Sequence, residues 1–178
     1  MQSEVMFAGF GGQGIMLIGK ILAHAAMEEG YEVAWIPSYG PEMRGGTAYC
    51  MVVIGDQPIG SPIIKNPSHL VAMNRPSLQK FVSTIKSGGV VMINSSLIPD
   101  DVQRNDVDVL KVPVVEIATD NGSSKAANIV ALAAFVARTK LVPLETLKRC
   151  IEEEFQSRPK LIPLNMKAME AGVAAANN

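Results

Sequence analysis

Short apolar runs alternate with amphipathic stretches along most of the chain. The runs are typical of β-strands and lie at residues 4–8, 31–36, 48–54, 70–73, 90–93 and 109–117. Residues 61–65 could add a further strand. Helical patterns lie at residues 15–29, 76–87, 123–140, 143–155 and 163–173. This alternation predicts an α/β fold: a single Rossmann-like domain over residues 1–178, with a mostly parallel sheet and helices on both faces.

Two of the predicted helices carry unusual patterns. Residues 129–137 are apolar on every side, so this helix must be buried within the domain or beneath another chain. The helix at 15–29 has its strongly polar residues on one stripe, Lys20, His24 and Glu28, and Gly30 stands where a helix-ending glycine is expected. His24 could be a ligand, but the stripe is interpreted as a solvated face.

The first predicted strand breaks into a glycine-rich turn, GFGGQG at residues 9–14, and then passes directly into a helix. Gly9, Gly11 and Gly14 fit the spacing G-x-G-x-x-G, which occurs at the strand-to-helix turn of nucleotide-binding domains. Glycine lets a ligand approach the backbone closely, and amides at the helix N-terminus face an anion such as a diphosphate. Gly9, Gly11, Gly12, Gln13 and Gly14 are therefore the candidate cofactor-binding residues. The alternative is a tight turn with no ligand.

A loop at residues 37–47 has two prolines and three glycines, yet it carries Tyr39, Glu42 and Arg44. If the first two strands are parallel neighbours, this loop leaves the same sheet edge as the glycine turn. Ligands of open α/β sheets bind at that edge. The loop, with Gly45 and Gly46, is therefore a candidate interface or active-site loop. The alternative is a structured loop with a local Glu42–Arg44 contact.

Further polar residues follow the later strands of the predicted sheet. Asn74, Asn94, Ser95 and Asp120 are expected near strand C-termini, around the same ligand edge. Asp120 could instead cap the helix that follows it.

Composition excludes several classes of function. The chain has 178 residues with 16 basic and 17 acidic side chains, so neither nucleic acid nor an anionic membrane is expected as a partner. It lacks a secretory signal pattern and any apolar run near the ~20 residues of a membrane span, which favours a cytoplasmic protein. Cys50 and Cys150 are expected to be buried free thiols rather than a disulfide. Without a C-x-x-C motif, no metal site is predicted.

Known nucleotide chemistries fit poorly. A dinucleotide domain places an acidic residue about 20 positions beyond its glycines, whereas this chain has Trp35, Ile36 and Pro37 in that region. The lysine and hydroxyl of an ATP-hydrolysing phosphate loop are also missing after Gly14. His24 and His69 lack the partners that a Ser–His–Asp or Cys–His arrangement would need at a suggestive spacing, so no catalytic residue is predicted in this chain.

The glycine turn and the loop SYGPEMRGG at residues 38–46 together resemble the gamma subunit of the 2-oxoacid:ferredoxin oxidoreductases. The likeness extends through PIGSP at 58–62, KAAN at 125–128 and NMKA at 165–168, and so covers nearly the whole chain. Around residues 38–49 the sequence is most similar to the 2-oxoglutarate and 2-oxoisovalerate enzymes. The resemblance implies a multisubunit enzyme that decarboxylates a 2-oxoacid on thiamine diphosphate, reduces ferredoxin through iron–sulfur clusters and forms an acyl-CoA.

The resemblance also implies how the cofactors are divided. Thiamine diphosphate, its Mg²⁺ and the iron–sulfur clusters are expected on partner alpha, beta and ferredoxin-like delta subunits, with ferredoxin or a similar protein as acceptor. Similarity to single-chain pyruvate enzymes suggests that the glycine turn holds the phosphates of coenzyme A. Two other interpretations stay open: a free-standing nucleotide-binding enzyme and a purely structural subunit.

Overall fold

The protein is described here by a computed structural model that covers residues 1–38 and 47–177. Its centre is a six-stranded sheet with the order β2-β3-β1-β4-β5-β6. The strands are β1 (Gln2–Gly9), β2 (Glu32–Ser38), β3 (Ala48–Gly55), β4 (His69–Ala72), β5 (Val90–Asn94) and β6 (Asp108–Val112).

The sheet is mixed. The strand β1 runs parallel to β4, and β4, β5 and β6 continue in parallel, whereas β3 is antiparallel to both of its neighbours. The α/β class is therefore confirmed, but the assumption that the first two strands are neighbours is wrong, because β3 lies between them. Two antiparallel steps restore the direction, so β2 still points the same way as β1. Ser38 and Gly9 consequently end their strands at one edge, where Ala48 begins β3.

Within the described residues, six helices surround the sheet. They are α1 (Ile15–Glu28), α2 (Arg75–Phe81), α3 (Val114–Asp120), α4 (Ala127–Thr139), α5 (Leu144–Glu154) and α6 (Ile162–Ala175), with 3₁₀ turns at Val82–Thr84, Ser124–Ala126 and Pro159–Leu161. At the end of α1, the Gly30 N–H donates to the Met27 carbonyl and the Tyr31 N–H to the Ala26 carbonyl. These two hydrogen bonds, together with the positive φ of Gly30, confirm that this glycine ends the helix.

Each face of the sheet has its own hydrophobic core, because successive strand side chains point to opposite faces. Phe7 and Val71 pack with α1, α3, α4, α5 and α6 on one face, and Ala8 and Leu70 pack with α2 on the other. The apolar helix α4 is buried from Ala127 to Val136 within this chain alone. It therefore needs no second chain to cover it.

Two predicted strands are wrong. Residues 61–65 form no strand, and the run at 109–117 divides at Pro113 into β6 and α3. Proline has no N–H to donate to the sheet, and its fixed φ suits the entry to a helix. In residues 1–38 and 47–177, no helix is both long and apolar enough to span a membrane.

Candidate functional site

The glycine turn links the end of β1 to the start of α1 by a tight, hydrogen-bonded path. The Gln13 N–H donates to the Phe10 carbonyl at 3.2 Å, and the Phe10 N–H donates to Gln13 Oε1 at 2.7 Å. Gly12 and Gly14 adopt positive φ angles of 92° and 73°, which side-chain-bearing residues rarely adopt. Two of the five predicted cofactor-binding residues are thus glycine for a conformational reason.

Side-chain amides fasten this turn to the neighbouring strands. Gln13 Nε2 donates to the Met73 carbonyl at 3.2 Å, and Asn94 Nδ2 donates to the same carbonyl at 3.0 Å. Since both polar atoms of the Gln13 side chain are engaged within the chain, this side chain positions the turn. The groups that the turn can offer a ligand are its backbone amides.

Asn128, at the start of α4, fixes the other end of the turn. Its side chain is 7% exposed, and its Nδ2 donates to the Gly14 carbonyl at 3.3 Å. A Cβ on Gly14 would lie 2.3 Å from Asn128 Nδ2, and one on Gly9 would lie 2.5 Å from Gln13 Oε1. A Cβ on Gly12, by contrast, would meet no heavy atom within 4 Å. Close packing therefore surrounds Gly9 and Gly14, while Gly12 borders open space.

The N-terminus of α1 is suited to an anion. Its N-cap is Gly14, which provides no side-chain hydrogen bond, and its first turn contains no acidic residue. The unpaired amides and the helix dipole therefore favour a negative charge in front of the helix. A pocket of about 280 Å³ lies there, lined by residues of the turn, by Asn94 and Asn128, and by the exposed cation Lys125.

A second pocket of about 460 Å³ shares Lys125 and Asn128 with the first. Its other walls include the apolar side chains of Leu17 and Phe155 and the guanidinium-bearing Arg158. Together the two pockets could accept an elongated ligand with an anionic part at the glycine turn and further groups beside α1.

The remaining sequence-predicted residues have varied outcomes. Asn94 ends β5 beside the turn, and Asn74 caps α2 by accepting from the Ser77 N–H at 2.9 Å. Asn74 Nδ2 is buried and has no hydrogen-bond partner in the described part of the chain, which leaves a donor at this edge. Ser95, directly after β5, donates its N–H to the Val112 carbonyl at 2.9 Å. Both predictions for Asp120 are wrong. It ends α3 rather than a strand, and the cap of the 3₁₀ turn that follows is Ser123 rather than Asp120.

The loop residues Tyr39, Glu42, Arg44, Gly45 and Gly46 lie outside the described residues. The flanking residues are described: Ser38 pairs with Tyr49 across β2 and β3, at the edge that carries the glycine turn.

The two cysteines and the polar stripe on α1 differ in how they compare with the predictions. Cys50 and Cys150 are buried free thiols, as predicted. The polar stripe on α1, however, is not simply solvated, because it faces α5. Lys20 Nζ lies 3.0 Å from a Glu154 oxygen, and His24 Nε2 lies 3.7 Å from a Glu153 oxygen.

Reasoning from the residues did not identify the contributions of Lys125 and Asn128. Both stand more than 100 positions from the turn, and their side chains show no local pattern that would link them to it. The only available signal was their inclusion in the segment KAAN that supports the family resemblance.

The fold and this site define a nucleotide-binding-like α/β domain, and comparison with known proteins identifies its family. Residues 4–175 match the family described as pyruvate ferredoxin/flavodoxin oxidoreductase, and the chain belongs to that family. This confirms the resemblance to the gamma subunits of 2-oxoacid:ferredoxin oxidoreductases.

Individual relatives have different substrates in their names. The chain is 39% identical over 170 residues to the ketoisovalerate oxidoreductase subunit VorA of Methanothermobacter marburgensis, covering 95% of this chain and 35% of the relative. It thus spans about a third of the length of that subunit. It is 38% identical to the 2-oxoglutarate synthase subunit KorC of Methanocaldococcus jannaschii, covering 85% and 82% of the two chains. The gamma subunit of a keto/oxoacid ferredoxin oxidoreductase from Geobacter sulfurreducens matches with a TM-score of 0.85 and 31% identity, covering 98% of each chain.

Proposed function

We propose that this chain is the gamma subunit of a multisubunit, cytoplasmic 2-oxoacid:ferredoxin oxidoreductase, and that residues 1–178 form one gamma-type domain. The enzyme would convert a 2-oxoacid to an acyl-CoA by oxidative decarboxylation. Support comes from the relatives of similar length, the KorC subunit and the Geobacter gamma subunit, which the chain matches over most of their length.

Within that enzyme, the glycine turn would bind the phosphates of coenzyme A. The observation that carries this proposal is the α1 N-terminus without a side-chain cap, which opens on a pocket that also contains Lys125. The amides of the first turn of α1, which begins at Ile15, would donate to a diphosphate, and the Lys125 ammonium would add a positive charge. Gly9, Gly11 and Gln13 would hold the turn in shape. Coenzyme A supplies the thiol that accepts the acyl group.

The other cofactors belong on partner subunits in this proposal. The chain has two cysteines, both buried and separated by 100 positions, so it lacks the four thiolates that an iron–sulfur cluster needs. Iron–sulfur clusters, thiamine diphosphate and its Mg²⁺ would be held by the alpha, beta and ferredoxin-like delta subunits, which would pass electrons to ferredoxin or a similar acceptor.

The predicted loop would contact those partners. Tyr39, Glu42, Arg44, Gly45 and Gly46 are proposed as an interface or active-site loop, because the strands on either side of it bring its ends to the edge of the glycine turn. A carboxylate and a guanidinium in that loop are suited to ion pairs across a subunit boundary.

We propose 2-oxoglutarate as the substrate, supported by the KorC relative. The VorA relative supports 2-oxoisovalerate instead. The assembled complex, assayed with 2-oxoglutarate, 2-oxoisovalerate and pyruvate at limiting concentrations, should have its highest kcat/KM for 2-oxoglutarate. A preference for either of the others would reject this assignment and leave the subunit proposal intact.

Coenzyme A binding is tested by Lys125→Ala in the assembled complex. Loss of about 1.4 kcal/mol of phosphate binding would raise the KM for coenzyme A about tenfold, with the KM for the 2-oxoacid unchanged. Because the interaction is between charges, added salt should reduce the difference between wild type and variant. Lys148→Ala is the matched control, since Lys148 is also an exposed lysine but lines a different pocket, between α5 and α6.

The outcome also discriminates between the alternatives. An unchanged response to coenzyme A in a folded, assembled Lys125→Ala complex would favour a structural subunit. Tight binding of a nicotinamide or flavin by the purified chain would favour a free-standing nucleotide-binding enzyme.

A further inference from the structure

Four side chains with metal-ligating atoms meet where α1 packs on α5. His24 and Glu28 are four residues apart on α1, and Cys150 and Glu153 are three apart on α5, so each pair shares one helical face. His24 Nε2 lies 3.6 Å from a Glu28 oxygen and 3.7 Å from a Glu153 oxygen. Ligand atoms of His24, Cys150 and Glu153 all lie within 4.8 Å of one another.

Ion pairing explains only part of this cluster. Between α1 and α5, Lys20 pairs with Glu154 and Arg149 pairs with Glu28. The His24 imidazole beside its carboxylates could be one more ion pair of such a series. A thiol contributes nothing to such a series. Cys150 is 1% exposed and lies beneath the imidazole and the carboxylate, at the boundary of the core. Burial, reinforced by the carboxylates of Glu153 and Glu28, raises the pKa of this thiol to about 11. A divalent cation would reverse that balance, since it favours the thiolate and attracts both carboxylates.

From this geometry we infer a divalent-cation site of the zinc class, with His24 Nε2, Cys150 Sγ and a Glu153 oxygen as ligands and Glu28 as the fourth. Nitrogen, sulfur and oxygen donors in one small cluster suit Zn²⁺, whereas Mg²⁺ and Ca²⁺ require oxygen donors. Tetrahedral bonds of about 2.0–2.3 Å place ligand atoms roughly 3.5 Å apart, so the separations of up to 4.8 Å among His24, Cys150 and Glu153 must close by about 1 Å. Glu28 completes the set by rotating away from Arg149.

The side chains that must move are partly exposed to solvent. His24, Glu28 and Glu153 have side-chain exposures of 43%, 42% and 40%, so they can rotate toward a cation while the thiol stays fixed in the core. The bound cation would join α1 to α5 and so secure the helix whose first turn lies at the glycine turn. The absence of a C-x-x-C motif does not exclude this site, because its ligands come from two helices more than 100 residues apart.

The test is a Co²⁺ titration of the full chain after chelator treatment, with Zn²⁺ added last. Stoichiometric Co²⁺ should give a near-ultraviolet cobalt–thiolate charge-transfer band, which Zn²⁺ abolishes by displacement. His24→Ala, which changes a partly exposed side chain, and Cys150→Ser should both lose this band. Cys50→Ala is the matched control, because it removes the other buried thiol and should keep the band. Zn²⁺ should also raise the melting temperature of wild type but not that of His24→Ala.

Three results would overturn the inference. The first is no charge-transfer band in wild type at stoichiometric Co²⁺. The second is weak cobalt binding without thiolate character, which would mean that surface imidazole and carboxylates bind the ion unaided. The third is a band that persists in Cys150→Ser or disappears in Cys50→Ala. None of these results depends on enzyme activity, so they leave the proposed oxidoreductase function untouched.

Discussion

Replacing Gly14 with alanine should destabilise the chain by two separable effects. The positive φ of 73° costs an alanine about 1–2 kcal/mol relative to glycine. The new Cβ would also lie 2.3 Å from Asn128 Nδ2, so the amide must move and give up its hydrogen bond to the Gly14 carbonyl, at about 1 kcal/mol. The sum is about 2–3 kcal/mol, which corresponds to a decrease in melting temperature of roughly 5–10 °C for a chain of this size.

Two other glycines provide matched controls. Gly12 has a φ of 92° but space around its Cβ position, so Gly12→Ala should show the conformational cost alone, about 1–2 kcal/mol. Gly60 has neither a positive φ nor a heavy atom within 4 Å of that position, so Gly60→Ala should change stability by less than about 0.5 kcal/mol. Urea unfolding followed by circular dichroism measures all three variants.

A double variant isolates the steric effect. Asn128→Ala removes the atoms at 2.3 and 3.0 Å from the Gly14 Cβ position and leaves its own Cβ at 3.3 Å. The cost of Gly14→Ala combined with Asn128→Ala should therefore fall short of the sum of the single costs by about 1 kcal/mol. Strict additivity, or equal costs for Gly14→Ala and Gly12→Ala, would refute the claim that Asn128 packs against the turn.

Three further outcomes are expected. Burial disfavours ionised Glu4, but hydrogen bonds from Lys86 and Ser68 outweigh it and hold the pKa of this carboxyl below its usual 4.5. Ionised Glu4 therefore contributes to the free energy of unfolding above pH 4.5, and this contribution is lost as pH falls through the lower pKa of the folded state. Urea unfolding between about pH 6 and 3 should consequently show a smaller loss of stability in Glu4→Gln than in wild type. Burial raises the pKa of Cys50 to about 12 and that of Cys150 to about 11. A thiol reagent should therefore react with both cysteines only after the chain is unfolded. Rapid reaction with the folded chain would contradict their burial. The isolated chain should not oxidise 2-oxoacids with coenzyme A, thiamine diphosphate and a viologen dye, and turnover equal to that of a complex would reject the subunit proposal.

Local patterns were sufficient to predict most of the secondary structure, but not the order of the strands. The apolar runs that became β1, β4 and β5 were recognisable because buried strands are short and bounded by glycine, proline or polar residues. Nothing in β3 itself indicates that it lies between β1 and β2, since antiparallel insertion is decided by contacts across the whole sheet. The division at Pro113 could have been predicted, because a proline in a central strand argues against continuing it.

The candidate site was only partly predictable for the same reason. Spacing identified the glycine turn, since a strand followed by G-x-G-x-x-G and a helix is a local signal. Asn128, Lys125 and Cys150 lie close to α1 or to the glycine turn before it, and their positions depend on how α4 and α5 pack. The polar stripe on α1 was misinterpreted because hydrophobic periodicity does not indicate which polar face meets another helix.

The antiparallel pairing of β2 with β3 has a consequence for how this family can diversify. Ser38 and Tyr49 are paired across β2 and β3, so the sheet itself holds the two ends of the connection between them close together. Doubling the length of such a segment costs only about 0.6 kcal/mol in closure entropy. A longer connection between these two residues would therefore have little effect on the free energy of folding, while the neighbouring glycine turn keeps its geometry. A chain built in this way can change the length of that connection without disturbing the strands that hold the glycine turn in place.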